Sequence, residues 1–142
     1  MLMPDVNVLV TAHRADAPHH EAVRAWLETA VNGTESVGVS DAVATGFVRV
    51  VTHRRIFREP TSLEKAIAQL DALFDAGALH VTAAETAWPH FRALSLAADA
   101  RGNLVADAAH AATAVQAGAT WVSLDRDFAR FDGLRWRSPL EA

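Results

Sequence analysis

The sequence predicts an α/β fold in three layers, with helices on both faces of a central, mostly parallel sheet of about four to five strands. Two observations predict it. Short apolar runs alternate with amphipathic stretches along the chain. Each intervening stretch is long enough to hold a helix, which is the crossover that parallel neighbours require. The 142 residues suit one domain, 1–142, with one core, and no linker, repeat or low-complexity segment divides them.

Met1 to Asp5 reads as a first strand, followed by a helix near Asn7 to His13. In "DAPHHEAVRAWLETAVNG", Val23, Trp26, Leu27 and Ala30 recur at helical spacing, with Asp16 as N-cap, Pro18 in the first turn and Gly33 as the stop. "SVGVS" is a strand, and Ser40 caps the helix "DAVATGFVRVVT". "TSLEKAIAQLDALFDAG" opens with Thr61 and Glu64 at capping-box spacing and closes on Gly77. "ALHVT" is a strand. "TAWPHFRALSLAADA" is a helix that tolerates Pro89 near its start, and "NLVADAAHAATAVQAG" is an Ala-rich helix ending at Gly118. "TWVSL" is a strand, and "LRWRSP" is a last short one.

Composition excludes several classes of function. The chain has no cysteine, so disulfides, thiolate catalysis and Cys-bound zinc are ruled out. No HExxH or other His-rich zinc spacing is present. "MLMPDVNVLVTAHR" has no basic leader and places an acid at position five, unlike a signal peptide, and no apolar run is long enough to span a membrane. A cytoplasmic protein is expected. The net charge of −4 argues against whole-surface nucleic-acid binding but leaves room for a local basic strip.

The acids at strand ends carry the chemistry. Asp5 closes the first strand, Asp41 follows "SVGVS", and Asp125 closes "TWVSL". In a parallel sheet these positions share the carboxyl edge, where such folds place their sites. Asp107 stands about one turn inside a helix otherwise so apolar that a charge facing the core there needs a partner. Carboxylates converging on one spot repel one another, and a hard cation such as Mg²⁺ or Mn²⁺ resolves the conflict through oxygen ligands. Asp5, Asp107 and Asp125 are thus metal-ligand candidates, with Asp127 as an additional one. Asp41 is equally explained by the helix dipole, and Asp127 by the start of the short helix at Phe128. Asn7 and Ser123, each two residues from an acid, are candidates for contacting a metal-bound water or a phosphate oxygen, or else serve as an ordinary cap and a satisfied strand hydroxyl. Arg54, Arg55 and Arg58 in "VRVVTHRRIFR", and Arg126, Arg130, Arg135 and Arg137 near the last acids, are candidates for gripping phosphates or are simply solvated surface.

"DVNVL", "SDAVATGFVRVVTHRRIF", "RGNLVADAAHAATA" and "VSLDRDFARFDGLRWRSPL" together resemble a PIN-domain ribonuclease, and most closely the VapC toxins of toxin–antitoxin modules in the subgroup abundant in mycobacteria. The four motifs stand in the family's order over essentially the whole chain. The resemblance implies a PIN-like sheet and an acidic catalytic quartet matching Asp5, Asp41, Asp107 and Asp125, with Asp127 as the frequent extra acid and Ser123 as the family's hydroxyl two residues before the fourth. It also implies Mg²⁺- or Mn²⁺-dependent endoribonuclease activity, a VapB-type antitoxin that blocks the site, and a homodimer. Two departures stand out. Asp41 is shorter than the Glu common at its position, and Pro4 precedes Asp5 in what should be an interior strand, where the strand is expected to fray. Two rivals stay open. One is a non-catalytic PIN module that binds RNA or a partner. The other is a haloacid-dehalogenase-like phosphohydrolase with Asp5 as nucleophile, a chemistry that wants a second Asp where Asn7 stands.

Overall fold

The structure, a computed structural model, describes residues 1–141. Its elements are β1 (Leu2–Pro4), α1 (Val6–His13), α2 (His20–Val31), β2 (Gly38–Ser40), α3 (Asp41–Val51), α4 (Leu63–Asp75), β3 (Leu79–Val81), α5 (Ala87–Ala97), α6 (Asn103–Gln116), β4 (Thr120–Val122), a 3₁₀ turn (Arg126–Arg130) and β5 (Arg135–Arg137). All strand pairs are parallel. β1, β4 and β5 form one sheet with β4 in the middle, and β2 pairs with β3 in another. A single parallel bridge, Leu2 to Val37, joins the two leaves.

Pro4 accounts for the seam. The strand does not fray at Asp5, whose N–H donates to the Val122 carbonyl at 2.8 Å. Residues alternate sides along a strand, and Leu2 N–H donates the other way, to Ser36 O, at 2.8 Å. Pro4 falls on that same side and has no N–H to give. Its deficit is therefore directed at β2, while the β1–β4 ladder stays whole.

Alternation also explains how both faces of the sheet are covered. Leu2 and Val122 pack with Val8 and Val23 under α1 and α2. Met3 and Trp121, adjacent in register, face the larger core with Phe47, Phe128 and the alanines of α6. Ala108, Ala111, Ala112 and Ala114 are all buried, so α6 approaches closely because its inner face has no bulk. Among the described residues no helix is long and apolar enough to cross a membrane.

Two helix starts differ from expectation. α2 begins at His20 after His19 in the left-handed conformation (φ 64°), with no side-chain cap. Asp16 is instead held by the Arg14 guanidinium. At α4 the cap is Ser62, whose Oγ accepts from Lys65 N–H; Thr61 Oγ1 is occupied by His13 and Arg14. In both cases another side chain, Arg14 two residues away for Asp16 and the distant His13 and Arg14 for Thr61, claims the group that capping would have used.

Candidate active site

Asp5, Asn7, Asp107 and Asp125 line one cleft of about 300 Å³, walled by Val6, Val10, Thr11 and Val50. β1 and β4 are neighbours, so their carboxyl ends deliver Asp5 and Asp125 side by side. α6 brings Asp107 over the same edge.

Asp5 is buried, at 7% exposure. Its Oδ1 accepts from Val6 N–H at 2.7 Å, and its Oδ2 accepts from Ser123 Oγ at 2.7 Å and Asn7 Nδ2 at 3.0 Å. Hydrogen bonds to a carboxylate are worth about 1.5–3 kcal/mol each and favour the charged form. Burial still outweighs them, and the Asp5 carboxyl is held above its ordinary range.

Asn7 and Ser123 couple the acids to one another. The Ser123 hydroxyl gives its proton to Asp5 and accepts from Asn7 Nδ2 and Asp125 N–H, each at 3.0 Å. Asn7 Oδ1 accepts from Leu124 N–H at 3.1 Å. Ser123 is fully buried with both lone pairs engaged, so it orients carboxylates and is not presented to a substrate oxygen. Asp125 caps the 3₁₀ turn, its Oδ1 accepting from Asp127 N–H at 2.9 Å.

Asp107 has the most perturbed carboxyl, pushed up to about 6. Burial is the leading cause, followed by the charges of Asp125, Asp5 and Asp127. Asp127 is exposed, forms a 3.4 Å ion pair with Arg130, and does not line the cleft. It acts on the site through its field.

Asp41 is not brought to the cleft. Its carboxylate is 72% exposed and lies 3.9 Å from His80 Nδ1, and it is not among the charges that raise Asp107. The reason is helical phase. α3 faces the cleft with Val50 and abuts α1 through Gly46, where a Cβ would lie 2.8 Å from Val6 Cγ2. At about 100° per residue, Asp41 points to the side opposite Val50. Changing Asp41 to Asn is therefore expected to leave RNA-cleavage rates within about threefold of wild type, far from the loss that follows removal of a metal ligand. A loss of a hundredfold in a cleavage assay would return Asp41 to the site.

The basic candidates divide. Arg54, Arg55 and Arg58 are exposed, with no acidic partner among the described residues. Arg126 instead pairs with Glu141, Arg130 with Asp127, and Arg135 donates to the Gly118 carbonyl. His110, which is not among the sequence candidates, stacks on Trp121 at 5.2 Å and feels the Asp5 charge, although burial is the larger influence and lowers its pKa. Its spacing of three from Asp107 is the signal that places it near the site. Thr11 and Val50, which do line the cleft, have no such signal.

The residues fit a hard divalent cation. Three carboxylates share the cleft, and burial together with the charge of the neighbouring acids lifts Asp107 to about 6. Among the described residues no three His, Asp or Glu side chains are already at ligand spacing. The donors in the cleft are carboxylate oxygens, the kind that Mg²⁺ takes, and Mg²⁺ keeps several waters and needs only one or two carboxylates directly.

The comparisons with known proteins agree with the fold. The chain is 51% identical over 142 residues to a "VapC ribonuclease Mb2897" of Mycobacterium bovis, covering 99% of this chain and 97% of the relative. It is 37% identical to a "Ribonuclease VapC31" of Mycobacterium tuberculosis, covering 98% and 99%. Among solved structures, VapBC2 from Rickettsia felis bound to a promoter DNA fragment superposes with a TM-score of 0.74 at 18% identity, over 96% of this chain and 97% of that one. The PIN domain model matches residues 2–134, and the chain belongs to the PIN-domain family.

Proposed function

We propose that this chain is a divalent-metal-dependent endoribonuclease, the toxin of a VapBC-type pair, which cuts RNA phosphodiester bonds and so arrests translation and growth. The observation that carries the reading is the cleft lined by Asp5, Asp107 and Asp125, with the Asp107 carboxyl raised to about 6 by burial and by its acidic neighbours. The names of the relatives point the same way.

Asp5, Asp107 and Asp125 would hold Mg²⁺ or Mn²⁺. When bound, the cation activates water for in-line attack on phosphorus and offsets the charge that develops on the phosphate oxygens. The chain's own contribution is geometry. Ser123 and Asn7 fix the Asp5 carboxylate and tie it to the Asp125 backbone, so the ligand oxygens do not have to be ordered when substrate arrives. Val6, Val10 and Val50 form an apolar wall that lowers the local dielectric and strengthens each charge interaction. Arg54, Arg55 and Arg58 would grip backbone phosphates beside the cleft.

An antitoxin is the expected protein partner. A groove of about 370 Å³ between α1, α2, α3 and α4, lined by Leu9, Leu27, Phe47, Leu70 and Leu73, supports docking of an amphipathic helix. Exposed Trp88 and Leu96 on α5 support pairing with a second copy.

A second reading is a PIN domain that binds RNA without cutting it. The displacement of Asp41, with Val50 on the face that α3 turns to the cleft, is the observation in its favour. Incubating the antitoxin-free protein with a mixed RNA pool in Mg²⁺, Mn²⁺ or EDTA separates the two. Cutting in either metal and none in EDTA is expected. RNA retained uncut in every condition would establish the second reading.

A further inference from the structure

Arg14 lies immediately past α1 and commits its whole guanidinium to the protein. Nε and Nη2 donate to the Asp16 carboxylate at 2.9 and 2.7 Å. Nη1 donates to the Glu59 carbonyl at 2.8 Å and to Thr61 Oγ1 at 3.3 Å. The guanidinium carbon sits 4.1 Å above the Phe57 ring. The side chain is only 12% exposed. His13 adds a contact of 3.0 Å between its Nε2 and Thr61 Oγ1.

Phe57, Glu59 and Thr61 all belong to the segment between α3 and α4. Thr61 N–H donates to Val51 O at 2.8 Å and closes its neck. This segment carries Arg54, Arg55 and Arg58. It leaves α3 one residue beyond Val50, which walls the cleft, and α1 contributes Val10 and Thr11 to the same wall. One helix therefore lines the cleft and, at its far end, clamps the basic segment. An exposed loop of arginines that is free to move must be ordered whenever it meets RNA, at a cost in conformational free energy. A loop already fixed avoids most of that cost.

We propose that Arg14 is a positioning residue for RNA binding: it locks the 52–61 segment so that Arg54, Arg55 and Arg58 meet backbone phosphates in a set arrangement, without touching RNA itself. The inference rests on the ribonuclease reading. Lysine cannot replace Arg14, because a single ammonium cannot hold Asp16 in two places, reach Glu59 O and stack flat on Phe57 at once.

The test is a kinetic cycle on RNA with four proteins: wild type, Arg14→Lys, the triple change Arg54→Ala, Arg55→Ala, Arg58→Ala, and all four changes combined. Arg14→Lys keeps the charge and is expected to raise KM about fivefold with kcat within about twofold. The triple change is expected to raise KM at least as much and to flatten the salt dependence of binding by about two charges' worth. The combination is expected to be no worse than the triple change, since a clamp has nothing to position once the arginines are gone. A general loss of stability would instead act equally in both backgrounds. A wild-type KM for Arg14→Lys, or effects that multiply in the combination, would overturn the proposal. Wild-type protein that binds RNA but cuts none would remove the ribonuclease reading; the same cycle read by fluorescence anisotropy would then decide the clamp, with unchanged affinity in Arg14→Lys overturning it.

Discussion

Replacing Asp107 with Asn should reduce metal-dependent RNA cleavage by at least about a hundredfold and, at the same time, raise the melting temperature of the metal-free protein. The two effects have one cause. Asp107 shares the cleft with Asp5 and Asp125, and burial, reinforced by the repulsion of these neighbours, lifts its carboxyl to about 6. Asn retains the shape and removes the charge, so the repulsion goes and so does the proposed metal ligand. Mg²⁺ or Mn²⁺ should then raise the melting temperature of the wild type but not that of the variant, because a cation stabilises only the form that binds it. Thermal melts of both proteins in EDTA and in metal give the comparison. A variant less stable than wild type in EDTA, or one that still cuts at full rate, would mean that Asp107 is not part of a repulsive ligand set.

The second large effect concerns pH. In the unfolded chain Asp107 loses its proton near its ordinary value of about 3.9, whereas in the native state it keeps it to about 6. Between those values the native state binds more protons. The contribution of this group to stability is present at acid pH and is lost as pH rises through its folded value. Asp5, also raised, has the same sign. His13 and His110 have the opposite sign, because burial lowers both and the native state resists protonating them. The wild-type profile alone therefore mixes two trends. The difference between Asp107→Asn and wild type isolates the carboxyl, and in EDTA it should widen in the variant's favour from about pH 5 to pH 7.5. A difference that is constant with pH would show that Asp107 carries no raised carboxyl in the metal-free protein.

Much of the site is legible in the residue string because it follows from strand ends. Asp5 and Asp125 sit where apolar runs stop, and a parallel sheet places such positions on one edge. Asp107 is legible because a lone acid among alanines demands an explanation. Asp41 fails the same logic for a geometric reason. It too follows a strand, but it is the first residue of α3, and helical phase turns it away from the face that meets the cleft. The Ser123–Asn7 link spans 116 residues, and no local pattern announces it. The cap at α2 is misread because Arg14 claims Asp16 from two residues away, and the cap at α4 because Thr61 faces α1. Pro4 is visible as an anomaly in sequence, but its consequence depends on which side of β1 its missing donor faces.

The joining of segments so distant in sequence has a consequence for synthesis. Asp5 and Asn7 are synthesised more than a hundred residues before Ser123, Leu124 and Asp125, whose hydroxyl and backbone groups order them. β1 also lacks its β4 partner until Thr120–Val122 has been made. Contacts so distant in sequence form late. A growing or truncated polypeptide thus carries its first acid without the frame that orients it, and the assembled cleft belongs to the finished molecule alone.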